Sequence, residues 1–353
     1  MSQQIPATMA AAVYHGRGDV RIEQRAVPAP GDGEVLVRVL RTGMCGTDAT
    51  EWRAGPILFP STPHVLGHEF VGEVVQSDLD RFPVGSIVAS GAGVSCGECA
   101  RCLEGRTNLC LNYYTLGLNA PGGMADFVAV PASTLVPVPA GLDLDRAGLA
   151  QPLAVGLHAA RRAGVRDGDR VVLIGAGAIG TFVLAGLQHL HRAEVTVVDF
   201  AGARLERAQR LGATRVVPAG GDTAGEVRAA LGGPADVVIE ASGAPGQLAT
   251  ALSLVRPGGT ILQVGLPHGE QQLDVHSLVL REIALLGTLA HVCGEDLAPA
   301  LDILATTGLG AELLDSVHPL DDLAHLLEEL ASGRIEGKVL FDPTLPTALE
   351  GIR

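Results

Sequence analysis

Four of the six cysteines, Cys96, Cys99, Cys102 and Cys110, fall within fifteen residues as C-x2-C-x2-C-x7-C. Four thiolates so close suit the tetrahedral preference of Zn²⁺ and leave it no open position, so such a site would stiffen a loop and do no chemistry. An iron–sulfur cluster is the rival reading, because C-x2-C-x2-C suits one too. The bacterial iron–sulfur pattern continues x3-C-P, whereas here x7 intervenes and Leu111 follows the last cysteine. A second set of donors is dispersed: Cys45 in Met44-Cys45-Gly46-Thr47-Asp48, and His68 and Glu69 in Leu66-Gly67-His68-Glu69. A thiolate, an imidazole and a carboxylate can hold zinc with a fourth position open. Each alone reads more readily as ordinary structure, the cysteine as a small buried hydrophobe and the histidine as a core or surface residue.

A third motif is glycine-rich. Val171-Val172-Leu173-Ile174 runs into Gly175-Ala176-Gly177-Ala178-Ile179-Gly180, a buried strand leading into G-x-G-x-x-G. Gly175 permits the tight turn, Gly177 lets the backbone approach a pyrophosphate, and Gly180 lets the following helix pack on the strand. The free N–H groups of that helix would face the phosphates. Asp199 follows Gly180 by nineteen residues, at the end of the next strand. A carboxylate there can bind both hydroxyls of the adenosine ribose and repel a 2′-phosphate, which favours NAD over NADP. Arg204 works the other way, since an arginine nearby could accept a phosphate. The bland alternative is a packing turn with a surface aspartate.

Positioning these groups needs two kinds of architecture. Short β-type runs (Ala10–Tyr14, Val20–Glu23, Glu34–Leu40, Phe70–Val75, Ile87–Ala89) fill the first half between turn signals such as Pro30-Gly31-Asp32-Gly33. From about residue 153, strands alternate with helices: Arg170–Ile174, Glu194–Val198, Arg215–Val217, Asp236–Glu240, Thr260–Val264 and Ile283–Gly287 are strand candidates. That rhythm predicts a doubly wound parallel sheet. After residue 290 the chain returns to helix, with a closing strand at Lys338–Phe341.

Composition removes other classes. The 353 residues exceed what one core usually supports, so two domains are expected. With 25 basic and 39 acidic residues the formal charge is −14, which argues against nucleic acid as a partner. A hydrophobic fraction of 47% with 18% charged residues excludes disorder for the bulk of the chain. Val171–Leu190 is twenty residues without Asp, Glu, Lys or Arg, long enough to span a membrane. Its glycines at 175, 177, 180 and 186 favour a strand, a turn and a helix instead, so no membrane partner is expected. Met1–Met9 shows no charged end leading into an apolar run, and clustered cysteines then read as metal ligands, so a cytoplasmic protein is expected.

Taken together, Cys45-Gly46-Thr47-Asp48, Gly67-His68-Glu69, the four-cysteine lobe, Gln151-Pro152-Leu153, the Gly175–Gly180 fingerprint and Asp199 resemble the zinc-dependent medium-chain dehydrogenase/reductase family. The resemblance spans nearly the whole chain and looks closest to the sorbitol, butanediol and glucose dehydrogenase branches. It implies an α/β chain with a β-rich GroES-like catalytic domain (1–152), a Rossmann NAD-binding domain (153–290) and a segment (291–353) returning to the catalytic domain. It implies one catalytic and one structural zinc, NAD, a small alcohol or ketone substrate and a homodimer or homotetramer. Cys45 and His68 match shared zinc ligands, and Glu69 matches a ligand of the polyol branch. Asp48 matches an aspartate that holds the ligand histidine, and Thr47 the hydroxyl that takes the substrate proton. Ala178 and Ile179 within the fingerprint, and Gly265, Leu266 and Leu289 beyond it, fall at cofactor-contact positions.

The resemblance also brings departures. Gln151 stands where sorbitol dehydrogenases have a glutamate near the metal. Thr50 replaces the usual relay histidine, leaving solvent, Thr50 or Glu51 as the proton outlet. Ala290 replaces a polyol-binding arginine. Trp52 and Phe59 are candidates for either the pocket wall or the core, and Cys293 reads as a buried filler. The implied reaction is hydride transfer from a secondary alcohol, acidified by zinc, to nicotinamide held in an interdomain cleft. A metal-free NADP reductase of the same superfamily and a non-catalytic relative are the alternatives.

Overall fold

The computed structural model describes residues 5–58, 62–267 and 269–346. The chain forms two compact units, Met1–Gln151 with Val292–Arg353, and Pro152–His291.

The first unit is built around the strand Glu34–Gly43. Its alternate residues feed two cores, as a period of two requires. Val35, Val37 and Val39 pack with Phe70, Val74, Phe82 and Val88, while Leu36 packs with Met9, Ala11, Val13 and Phe127. The sheet runs in the order Leu135–Pro137, Ile87–Ser90, Phe70–Gln76, Glu34–Gly43, Lys338–Phe341, Leu314–His318, with Phe127–Pro131 also paired to Glu34–Gly43. Asp19–Ala26, Thr8–Gly16 and His64–Val65 make a second sheet. Two connections matter for chemistry. Gly43 ends the central strand and leads through Met44 and Cys45 into the helix Gly46–Ala54. Phe70 opens the neighbouring strand directly after His68-Glu69, and the pairing of Thr42 with Phe70 brings the two junctions side by side.

The second unit is a six-stranded parallel sheet in the order Arg215–Pro218, Glu194–Asp199, Arg170–Ile174, Ala235–Glu240, Val255–Gln263, Ala284–Gly287. The order reverses between Arg170–Ile174 and Ala235–Glu240, which is the switch point where such sheets bind ligands. The apolar stretch 171–190 resolves into the end of a strand, a turn and the helix Ala178–Leu190. Among the described residues no helix is long and apolar enough to cross a membrane.

The observed elements exceed the expected ones. Phe127–Pro131, Leu135–Pro137 and Leu314–His318 are among the strands beyond those the sequence predicts. Leu314–His318 corrects the expectation of only helix and a closing strand after residue 290: it lies parallel to Lys338–Phe341. Its side chains are at best half-buried, so Leu-Asp-Ser-Val-His carries no clean alternation to read.

Candidate functional site

In the first unit the ligand atoms of Cys45, His68 and Glu69 all lie within 4.8 Å of one another. Cys45 caps the helix Gly46–Ala54, and its amide N–H donates to Asp48 Oδ2 at 2.9 Å. The other Asp48 oxygen stands 3.6 Å from His68 Nδ1, which leaves Nε2 for a ligand's role. Glycine at position 43 leaves room for the Glu69 carboxylate, whose Oε2 a Cβ there would displace.

A residue missed by sequence reasoning completes this cluster. Lys338, on the closing strand, is buried with its Nζ 2.5 and 2.6 Å from the two Glu69 oxygens, and it donates to the Met44 carbonyl at 2.8 Å. The signal was available, because Lys338 is the only lysine of the chain; every other basic residue is arginine. Arginine's planar fork differs from a compact ammonium, so the choice is chemically meaningful.

The cluster suits a dication. Burial alone would push the His68 imidazole down, but Asp48, and after it Cys45 and Glu69, pull it up to about 10. Burial would likewise lower Lys338, yet Glu69 foremost holds it above its ordinary value. Both shifts report a field that favours positive charge. Burial pushes the Asp48 carboxyl up, opposed first by His68; with Asp48 held as the anion beside His68 and Cys45 as the thiolate a metal demands, these two and Glu69 against Lys338 leave two negative charges, the complement of a divalent cation.

The surrounding candidates are placed unevenly. Thr47 Oγ1 lies 3.8 Å from Cys45 Sγ. The Thr50 hydroxyl donates to the Gly46 carbonyl at 2.9 Å and keeps its lone pairs. Glu51, offered above as a proton outlet, is otherwise engaged: its carboxylate accepts the amides of Ile57 at 2.8 Å and Leu58 at 2.5 Å, holding the loop after the helix. Gln151 is buried at the start of the helix Ala150–Arg162. Trp52 packs on the cluster around Tyr14 and Leu327, and Phe59 lies outside the described residues.

The four-cysteine lobe has metal geometry. All four thiols are free of disulfides. Four of their Sγ–Sγ separations are 3.5, 3.5, 3.9 and 4.0 Å. A tetrahedron with Zn–S bonds of about 2.3 Å has edges of about 3.8 Å. A cluster of several irons would stand between its thiolates and hold them further apart, so the spacing suits one ion. Backbone amides of Leu111, and then Cys102, lower the Cys99 thiol to about 6, which favours its thiolate.

In the second unit the fingerprint turn joins the strand Arg170–Ile174 to the helix Ala178–Leu190. A Cβ on Gly180 would meet the Gly175 carbonyl at 1.9 Å, so glycine there serves packing. A Cβ on Gly177 would meet nothing within 4 Å. The fold leaves that space clear, as a pyrophosphate cradle at a helix N-terminus would. Asp199 accepts the Ala176 amide at 2.6 Å and the Phe200 amide at 2.7 Å, with Arg204 3.7 Å away. The acidic residue therefore also ties down the fingerprint loop. Leu266 and Leu289 follow the strands Val255–Gln263 and Ala284–Gly287 as exposed apolar side chains.

Comparison with known proteins agrees with both units. Residues 31–140 match the alcohol dehydrogenase GroES-like domain and residues 178–306 the zinc-binding dehydrogenase family. L-Galactonate-5-dehydrogenase of Escherichia coli (strain K12) is 34% identical over 327 residues, covering 90% of this chain and 95% of that one. Sorbitol dehydrogenase of Bacillus subtilis (strain 168) is 34% identical over 299 residues, covering 82% and 85%. A zinc-binding dehydrogenase structure from Sinorhizobium meliloti 1021, described as putative and bound to NADP, superposes with a TM-score of 0.86 at 28% identity, covering 96% of this chain and all of that one. With a donor cluster fit for a dication in one unit and a dinucleotide fingerprint in the other, the chain belongs to the zinc-binding, medium-chain alcohol dehydrogenase family, oxidoreductases that use zinc and a nicotinamide cofactor.

Proposed function

We propose that the protein oxidises a secondary alcohol reversibly to a ketone with NAD, and that the alcohol is a diol, polyol, sugar or cyclic alcohol. The convergence of Cys45, His68 and Glu69 beside the Thr47 hydroxyl carries this reading. The named relatives act on a sugar alcohol and a sugar acid, which supports the substrate class. Cys45 and His68 would hold a catalytic zinc, with Glu69 or Gln151 as further oxygen donor, and the four-cysteine lobe a structural one. Zinc at the first site supplies Lewis acidity toward an alcohol oxygen. Asp48 keeps the His68 ring turned by its Nδ1 edge. Thr47 takes the hydroxyl proton, and Thr50, one helical turn on, passes it outward. Lys338 neutralises part of the charge of Glu69, so that the carboxylate does not hold the site over-anionic. Metal analysis together with turnover across diols, polyols, sugars and cyclic alcohols tests the proposal. Two zincs per chain and NAD-linked turnover are expected; an active enzyme with one zinc, or a fully loaded one inert on every class, would refute it.

NAD is the cofactor we assign, because the Asp199 carboxylate would meet a 2′-phosphate as a like charge. Asp199→Ala should raise the NADP-to-NAD ratio of kcat/KM by about 10- to 100-fold, the worth of a charged hydrogen bond. A wild type that already prefers NADP would overturn the assignment.

We also assign a homo-oligomer in the cytoplasm. All six cysteines are free, in keeping with a reducing compartment. The sheet edge Arg215–Pro218 is guarded by an arginine and a proline, but the opposite edge is Ala-Leu-Leu-Gly with no such guard. Next to it in sequence, Val275, Val279 and Leu280 are exposed on their helix. A second copy related by a two-fold axis can pair antiparallel with this edge and satisfy it. Leu285→Lys should lower the mass seen by light scattering; an unchanged mass would place the contact elsewhere.

A further inference from the structure

Glu240 ends the strand Ala235–Glu240 at the switch point and is 1% exposed. Each group that meets its carboxylate can donate a hydrogen. The Ser242 amide bonds Oε1 at 2.8 Å, and the Gly243 amide reaches both oxygens at 3.0 and 3.1 Å. The Ser242 hydroxyl and the Gln263 side-chain amide also donate to it. No basic side chain pairs with it among the described residues. Its backbone carbonyl accepts the amides of Val264 at 2.8 Å and Gly265 at 2.9 Å. Gln263 donates in addition to the Gly265 carbonyl at 2.7 Å. One residue thus ties the loop after its own strand to the loop after the next.

Those loops reach the fingerprint without intervening side chains. A Cβ on Gly175 would stand 2.9 Å from the Ser242 nitrogen, and one on Gly265 2.2 Å from that of Gly243. Close-packed backbone transmits any shift of one loop to its neighbours. In a doubly wound sheet, each side of the switch point takes one nucleotide of the dinucleotide. The fingerprint strand and Asp199 lie on the adenosine side. The loops that Glu240 ties lie after the strands of the other side. A buried charge without a counter-ion is costly unless hydrogen-bonded in full, and here the donors are Ser242 and Gly243 of the first loop and the side chain of Gln263, which ends the strand before the second.

We propose that Glu240 is a positioning residue for the cofactor: by holding the first loop on its carboxylate, and the second through the Gln263 side chain and its own backbone carbonyl, it shapes the half of the crevice that takes the nicotinamide riboside. The reading rests on the chain's binding a dinucleotide, and the test separates the two ideas. AMP and NADH are titrated by fluorescence and calorimetry into the purified metal-loaded protein and its Glu240→Gln variant. The glutamine keeps shape but sets an NH₂ group against N–H donors. Wild type should bind both probes, and the variant should bind AMP within about twofold of wild type and NADH about tenfold or more weakly. Equal weakening of both, or of neither, overturns the proposal. Failure of the wild type to bind either removes the dinucleotide reading and the proposal with it. Should Glu240→Gln not fold, Ser242→Ala and Gln263→Met each remove one donor and leave the charge. Each should weaken NADH severalfold relative to AMP, and a constant ratio in both would refute the role.

Discussion

Replacing Cys45 with serine is expected to leave a folded protein whose turnover has fallen by about 10³-fold or more. The magnitude follows from what a Lewis acid contributes to alkoxide formation, several kcal/mol at 1.36 kcal/mol per decade. The fold should persist for a local reason. Residue 45 caps the helix Gly46–Ala54, serine is a favoured cap, and Asp48 bonds the backbone amide of residue 45 whatever its side chain. What changes is the soft thiolate, a stronger zinc ligand than an alcohol. The check is kcat with metal content and a melting curve beside it. A serine variant that keeps one zinc fewer, melts like wild type and turns over within tenfold of it would mean that the metal at Cys45 is not catalytic.

The second large effect concerns stability. Cys99→Ser should release the lobe's metal and lower the melting temperature by about 10 °C or more. Leu103 and Leu111 in the lobe are each 77% exposed, and the helix Ala100–Leu103 buries no residue. The lobe therefore has little apolar packing to fall back on when a ligand is lost. Structural zinc contributes on the order of 10 kcal/mol to folding in small domains, and even about 3 kcal/mol would move a unit of this size by that much. Calorimetry and a colorimetric zinc assay decide it; unchanged melting with full zinc content would show that three thiolates and water suffice.

Legibility in the sequence tracked distance along the chain. The four cysteines lie within fifteen residues, and their spacing alone pointed to one metal ion. The strand, turn and helix of the fingerprint are contiguous, and the parallel sheet announced itself through alternating apolar strands and helices. Cys45 and His68 were nameable, but what fixes their surroundings was not. The partner of Glu69 is Lys338, 269 residues away, and it heads an apolar strand where no periodicity singles it out. Glu51 is one of three proton outlets that the sequence leaves open, because it cannot show what a carboxylate one turn beyond Thr47 meets. Only the folded loop shows the amides of Ile57 and Leu58 closing on it. Asp199 reads from the sequence as a ribose contact, and its bond to the Ala176 amide depends on a turn that local propensity does not describe.

Lys338 has a practical consequence for labelling. Its ammonium is the only side-chain amine in the 353 residues, and it is buried against Glu69 and Met44. The folded protein therefore offers acylating and cross-linking reagents no lysine on its surface. Acylation of the side-chain amine becomes a clock for the opening of one place. Its rate should follow the exposure of the cluster around Glu69, slow in the native state and fast once the closing strand Lys338–Phe341 detaches. Mass spectrometry of a single lysine peptide would then time local opening at this site against unfolding of the whole chain.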